Sequence, residues 1–330
     1  MTPTDLHVVL GAGPAGTTLS TELARRGHRV RLVDRRDDPP VPAGVEHVRA
    51  DLSDADAATS ATRGASVIYH CVNVAYHLQP RLLPGLGEAI LTAAERQGAR
   101  LVVLDTLYPY GEANGESLTE DTPWAATTVK GRLRADLDRR YLRAHEEGRV
   151  RVVAGRSADF YGPGVLNSTL GGAVFPAALT GGEVLTLLDT SLPHSYTYIR
   201  DVARGLATLG ERPEGDGRIW HLPTVPARST DEVLELVARA VGRPLRVHNL
   251  RRAEAYGPFD QTFMDSYAEM LYQHRIPQNM VSTAFEHQFG VFPTPLEEGI
   301  AQTLAWYREV LAGQWAAPQR ADRSGPNPTA

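Results

Sequence analysis

The sequence predicts an α/β protein: a Rossmann-type, doubly wound parallel sheet followed by a smaller C-terminal substrate-binding lobe. Three observations carry this. An apolar run, Leu6-His7-Val8-Val9-Leu10, passes directly into Gly11-Ala12-Gly13-Pro14-Ala15-Gly16, a G-x-G-x-x-G turn between a strand and a helix. A second run, Val30-Arg31-Leu32-Val33, ends in Asp34, about 20 residues beyond the turn. Short apolar runs then alternate with amphipathic stretches through the first half of the chain, the pattern of parallel strands joined by crossover helices.

In chain order, strands are expected at 6–10, 29–33, 45–48, 67–71 and 100–104, and helices at 14–26, 54–62, 80–97 and 130–147. In the last of these, Leu133, Leu137 and Tyr141 recur every four residues as an apolar stripe, with Lys130 and Arg134 expected on the adjacent face. A further strand is read at 149–155. The alternation then stops. Glycine and proline crowd 161–196, and 161–189 reads as a lid or substrate loop. A strand-like piece follows at 216–222, and a helix at 230–241 is capped by Ser229 or Thr230. The domains predicted are a dinucleotide-binding domain at 1–160, joined by 190–222, a C-terminal substrate lobe at 223–316, and a flexible tail at 317–330.

Composition narrows the function. The chain has 330 residues, 42% of them hydrophobic, and a formal net charge of -5, so it can bury a large core and offers no basic surface to a nucleic acid. No apolar run is long enough to cross a membrane, and the first strand begins too early to leave room for a signal peptide. Cys71 stands alone, which fits a reducing cytoplasm, and no cysteine–histidine spacing suggests a metal. The expected partner is a small molecule, and the expected assembly a monomer or homodimer.

The glycine turn has a physical purpose. Gly11 allows the tight turn, Gly13 lets the backbone approach a pyrophosphate, and Gly16 lets helix and strand pack closely. Pro14 and Ala15 open the helix, whose free N–H groups and partial positive charge favour phosphate. Asp34 is placed to accept from an adenosine ribose and would repel a 2′-phosphate, whereas Arg35 and Arg36 could pair with one. The cofactor expected is therefore NAD(H) or NADP(H).

Five further landmarks follow in order: Arg49-Ala50-Asp51-Leu52-Ser53; Val67-Ile68-Tyr69-His70-Cys71-Val72-Asn73; Leu101-Val102-Val103-Leu104-Asp105-Thr106-Leu107-Tyr108-Pro109-Tyr110-Gly111; Arg156-Ser157-Ala158-Asp159-Phe160-Tyr161-Gly162-Pro163; and Tyr196-Thr197-Tyr198-Ile199-Arg200-Asp201-Val202-Ala203. Over roughly residues 5–310 the chain resembles the extended short-chain dehydrogenase/reductase superfamily, of the NAD-dependent epimerase/dehydratase type. The resemblance implies that Asp51 and Leu52 border the adenine and that Cys71, Val72 and Asn73 pass under the cofactor. It also implies that Thr106 supplies the catalytic hydroxyl and that Phe160 and Tyr161 border the nicotinamide.

The resemblance breaks in two places. The turn is G-x-G-x-x-G rather than the family's usual G-x-x-G-x-x-G. The family's Tyr-x-x-x-Lys, acid/base and ribose-binding lysine, is also missing. Aligning Pro123-Trp124-Ala125-Ala126-Thr127-Thr128-Val129-Lys130-Gly131-Arg132-Leu133-Arg134-Ala135 on its glycine puts Lys130 at the tyrosine and Arg134 at the lysine; sliding by four makes Lys130 the lysine and Ala126 the tyrosine. Thr106, Lys130 and Tyr161 remain as catalytic candidates, with Lys130 either a proton donor or a fixed charge toward an oxyanion or ribose. Asp105, Tyr76 and His194 are candidate substrate contacts, and His70 and His77 lie near the same strand ends. The activity expected is an NAD(P)H-dependent ketoreductase acting on a small or polycyclic metabolite. Its alternatives are an epimerase, isomerase or lyase without net redox change, or a non-catalytic dinucleotide-binding protein.

Overall fold

The computed structural model describes residues 5–113, 116–257 and 259–316. Its first half runs β1 (Leu6–Leu10), α1 (Pro14–Arg25), β2 (Arg29–Asp34), β3 (Glu46–Arg49), α2 (Ala55–Ala61), β4 (Ala65–His70), α3 (Gln79–Gln97), β5 (Arg100–Thr106), α4 (Val129–Glu146) and β6 (Val152–Ser157). Then come β7 (Asp159–Tyr161), α5 (Phe175–Thr180), β8 (Glu183–Leu187), β9 (Pro193–His194), β10 (Tyr196–Tyr198), α6 (Ile199–Glu211) and β11 (Ile219–His221). The chain ends with β12 (Arg228–Ser229), α7 (Thr230–Val241), β13 (Arg246–Leu250), α8 (Gln261–Tyr267), a 3₁₀ segment at Ala268–His274, α9 (Thr283–Phe289) and α10 (Leu296–Ala316).

Seven strands form one parallel sheet, ordered β11-β6-β5-β4-β1-β2-β3. Side chains alternate between its faces: Val9 and Val102 join the core under α1 and α6, while Val8, Leu10, Leu101 and Val103 join the core under α2, α3 and α4. This is the doubly wound architecture that the sequence pattern predicts. The expected tail at 317–330 lies outside the described residues.

Two differences from the sequence reading have clear causes. The 161–189 segment carries α5 and β8, and Val165, Leu170, Val174 and Phe175 are buried in the core that also holds Val9 and Val102. A loop anchored by that much apolar surface is not free to swing as a lid. On α4, Lys130, Arg134, Leu137, Asp138 and Tyr141 are all buried on one face, and Leu133 is only half-buried. The two cations therefore extend the inward stripe and are not set beside it.

The C-terminal elements turn back over the strand ends. β8 pairs in parallel with β13, and β7 in parallel with β10, aligning Asp159 with Tyr196 and Tyr161 with Tyr198. Helix α7 begins with a capping box: Ser229 accepts from the Glu232 N–H, and Glu232 accepts from the Ser229 N–H at 2.8 Å.

Candidate active site

The strand order reverses between β1 and β4, so the turns leaving these strands meet at one crevice. Gly11 makes the meeting possible: its φ is +97°, and a Cβ there would lie 3.1 Å from the Cys71 carbonyl oxygen. A Cβ on Gly16 would fall 1.9 Å from the Gly11 carbonyl oxygen, so only hydrogen fits. Gly13 is different. A Cβ there would meet nothing within 4 Å. Gly13 is also the N-cap of α1, with no side-chain cap, Pro14 at the helix start and no acidic residue in the first turn. An uncapped helix N-terminus beside open space, at a glycine that packing does not require, fits a bound pyrophosphate.

Asp34 ends β2 and reaches back to the turn. Its Oδ2 accepts from the Ala12 N–H at 2.9 Å, and its Oδ1 from the Arg36 N–H at 3.0 Å and Arg36 Nε at 2.8 Å. Burial pushes this carboxyl up, but the bonds from Arg36 and Ala12 outweigh it and hold it down to about 2. Arg36 also donates to the Ala12 carbonyl at 2.7 Å. The arginine paired with Asp34 is thus Arg36, and Arg35 is exposed. Asp51 accepts from the Ser53 N–H at 3.0 Å and Ser53 Oγ at 2.7 Å, ordering the turn into α2, and Leu52 is buried.

At the next strand end the Cys71 N–H donates to the Leu10 carbonyl at 3.0 Å, and burial pushes the Cys71 thiol up to about 12. The Val72 N–H donates to His70 Nδ1 at 3.3 Å. Burial, helped by Arg134, holds the His70 imidazole at about 3, so it stays neutral. Asn73 Oδ1 accepts from Arg134 Nη2 at 3.0 Å and Gln79 Nε2 at 3.2 Å. The structure thus brings Arg134 to the segment predicted to pass under the cofactor.

Lys130, one turn earlier on α4, points elsewhere. Its Nζ donates to Glu269 Oε1 and to the Ser266 carbonyl, each at 2.6 Å, and lies 5.6 Å from the Tyr76 ring centre. Glu269 Oε2 accepts from the Val129 N–H at 2.6 Å. One carboxylate therefore caps the α4 N-terminus and neutralises the cation in its first turn. Lys130 ties α4 to the C-terminal lobe.

Thr106 closes β5, and among the described residues its hydroxyl is engaged only by a long contact from the Tyr108 N–H, 3.5 Å. Two residues on, the Tyr108 phenol meets the Tyr76 phenol at 2.7 Å. Burial raises both phenols, Tyr76 to about 12 and Tyr108 further, so both stay protonated. Tyr267 and Phe263 of α8 stand edge-on to Tyr76, 5.7 and 5.5 Å between ring centres. Tyr76 was a sequence candidate. Tyr108 was missed, although its position two residues beyond Thr106 at a sheet edge was a usable signal.

Asp105 and Tyr161 are corrected. Asp105 is fully buried, and its Oδ2 accepts from Arg156 Nε at 2.8 Å; Arg156 Nη2 also reaches Asp138 at 2.6 Å. Strand alternation turns Asp105 toward α4, away from a ligand above Thr106. Tyr161 lies buried beneath α10: a Cβ on Gly299 would fall 2.2 Å from its hydroxyl, and its ring packs 5.3 Å from that of Tyr198. It is fully buried, which leaves it no surface for a ligand. Phe160 is half-buried, with its carbonyl accepting from Ser168.

His194 is buried, not solvated. Its Nε2 meets Asp159 Oδ2 at 3.0 Å, an oxygen that also accepts from Thr169 at 3.0 Å. The His194 ring stacks on His274 at 5.3 Å, and His274 Nε2 bonds the Tyr267 hydroxyl at 3.0 Å. Burial raises the Asp159 carboxyl, but His194 outweighs it and the net shift is downward. No group of side chains able to hold a metal ion occurs among the described residues. No helix among them is long and apolar enough to cross a membrane.

A family model described as the NAD dependent epimerase/dehydratase family matches residues 7–222. No curated protein matches the chain by sequence. Similar solved structures include MoeE5 in complex with UDP-glucose and NAD, at 23% identity and a TM-score of 0.75, covering 93% of this chain and 99% of that one. The UDP-glucose 4-epimerase of Thermus thermophilus in complex with NAD gives 24% identity and a TM-score of 0.73, covering 92% and 99%. The dTDP-glucose 4,6-dehydratase of Bacillus anthracis with NAD gives 14% identity and a TM-score of 0.75, covering 92% and 97%. These likenesses concern the fold.

Proposed function

This chain belongs to the NAD dependent epimerase/dehydratase family, and from that premise we propose that it binds NAD(H) and interconverts a ketone and an alcohol on a small or polycyclic metabolite. The observation that carries the reading is the Tyr76–Tyr108 phenol pair beside Thr106. NAD, when bound, supplies or accepts the hydride. The chain must then orient the substrate, polarise its carbonyl and move one proton.

The α1 N-terminus and Gly13 hold the pyrophosphate, Asp34 the adenosine ribose, and Arg134 the edge beside Asn73. Thr106 donates a hydrogen bond to the substrate oxygen. Tyr108 supplies the proton in place of the tyrosine missing from α4. A phenol raised by burial is a weak acid, but an alkoxide is a stronger base and takes its proton. Tyr76 donates in turn to the Tyr108 oxygen and steadies the phenolate. Lys130, satisfied by Glu269 and Ser266, holds the lobe closed and moves no proton. A second reading is favoured by Phe263 and Tyr267 over Tyr76, which enclose the site: by keeping the substrate enclosed between oxidation and reduction, they would allow an epimerisation without net redox change.

The test follows absorbance at 340 nm with NADH, NADPH and a panel of cyclic ketones, with product analysis. Net oxidation supports the first reading, and altered product without net oxidation the second. Tyr108→Phe should lower kcat about 100-fold, the low end for general acid catalysis, with KM nearly unchanged. An unchanged kcat in that variant removes Tyr108 from the chemistry.

A further inference from the structure

We infer that the substrate of this cleft carries a carboxylate and that Arg134 receives it. The inference rests on the proposed ketone–alcohol reading and names the substrate class for it: a keto acid on one side of the reaction and a hydroxy acid on the other.

Four cationic side chains are buried among the described residues: Arg100, Lys130, Arg134 and Arg156. Three have a carboxylate partner: Arg100 pairs with Asp216, Lys130 with Glu269, and Arg156 with Asp105 and Asp138. Arg134 has none among the described residues. Its Nη2 donates to the neutral Asn73 amide oxygen at 3.0 Å, its Nε is sealed from solvent without a partner, and its Nη1 is unpartnered. Asp138, one turn further along α4, is turned to Arg156. Burial, with Arg134 adding to it, holds the His70 imidazole at about 3, and burial raises the Tyr76 and Tyr141 phenols, so none of these neighbours brings a negative charge. A guanidinium left in this way carries its full burial cost until an anion joins it.

The guanidinium is held at an open strand end. Asn73 is exposed, and its oxygen also accepts from Gln79 Nε2 at 3.2 Å and the Val74 N–H at 3.0 Å. Arg134 itself keeps 8% exposure. β4 and β5 are neighbours with His70 beside Val103, so Asn73 and Thr106 lie equally far beyond that pair, at the edge where open α/β sheets bind ligands. The cofactor does not supply the missing anion. NAD bears its negative charges on the pyrophosphate, proposed to lie at Gly13, and its nicotinamide ring is neutral when reduced and positive when oxidised. The substrate remains. One unmatched guanidinium calls for one negative charge, and its planar donors fit a carboxylate.

The experiment is an NMR titration of the full chain saturated with NADH, using pentanoate and pentanamide, two probes of one size that differ in charge and hold no ketone. No turnover is read, so the result stands apart from whether the chain reduces ketones. The wild type should bind pentanoate about tenfold more tightly than pentanamide. Arg134→Gln should bring the two to equal affinity, and Arg134→Lys should keep part of the preference. A ratio of two affinities in one variant is not moved by loss of folded protein, which lowers both signals alike. A preference that survives in Arg134→Gln overturns the inference, and a parallel fall in NADH affinity would then assign Arg134 to the cofactor alone. Equal affinities in the wild type, or no binding of pentanoate, overturn it too.

Discussion

The two ends of the cleft are built from different material. At the cofactor end the chain offers backbone: Gly11 and Gly16 make contacts that no side chain permits, and Gly13 leaves space beside an uncapped helix. At the substrate end it offers long side chains from distant segments. Tyr76 meets Tyr108, Lys130 meets Glu269, and Asp159 meets His194. A backbone site is fixed by conformation and tolerates little change. A side-chain site can be rewritten by substitution while the sheet beneath stays the same.

The largest effect should come from beneath that rewritable end. Arg156 is fully buried between Asp105 and Asp138, with its guanidinium 4.5 Å from the Tyr110 ring centre. Burial and the neighbouring Asp105 raise the Asp138 carboxyl well above the usual range, which favours a proton on Asp138 beside an ionised Asp105. Arg156→Met leaves an uncompensated carboxylate and should cost about 3–5 kcal/mol in urea unfolding. Asp138→Asn should cost far less. Equal costs would mean that both carboxyls are ionised.

Next comes the cofactor turn. Gly13 has an ordinary φ of -79° and no neighbour that a Cβ would touch. Gly13→Val should leave the melting temperature nearly unchanged and weaken NADH about 100-fold, or roughly 2.7 kcal/mol. Gly16→Val should instead unfold the turn. A normal NADH dissociation constant in Gly13→Val would remove the pyrophosphate from this turn.

Third is Lys130→Met, which separates holding from proton transfer. A latch residue should change cofactor or substrate release, with KM moving about tenfold and kcat little. A proton donor would lose about 10²–10⁴-fold in kcat. Glu269→Gln should reproduce the latch phenotype and spare the chemistry.

The same contrast explains what could be read from sequence. Strands β1, β2 and β5 begin at their expected residues, and α7 spans 230–241 as expected, because each has a full period of apolar residues and a cap or turn signal. β7, β9, β10 and β12 have two or three residues each, too short to show a period. α8 is marked by aromatic residues whose partners lie almost 200 positions earlier in the chain. Asp159 carried no local sign of His194, and Asp105 looked like a cleft residue until Arg156 appeared beside it. Spacing reveals backbone machinery; pairings across the fold require the fold.

The smallest expected effect lies at the join of the two kinds of construction, where a backbone turn is read by side chains. Asp34 stays ionised at working pH, since Arg36 and Ala12 hold it down to about 2. At the adenosine ribose, where it is proposed to sit, it would disfavour a 2′-phosphate, while Arg36, half-exposed and paired with it, would offset part of that repulsion. Asp34→Ala should raise the ratio of NADPH to NADH affinity, and Arg36→Ala should lower it. Each change should be about fivefold or less, the size of an exposed ion pair, and should shrink in high salt. Arg35→Ala should leave the ratio where it is, because Arg36, not Arg35, is the arginine paired with Asp34. The measurement is a pair of dissociation constants for each variant. An Arg35→Ala ratio that moves further than the Arg36→Ala ratio would return the phosphate to Arg35 and leave Arg36 as a brace for the turn.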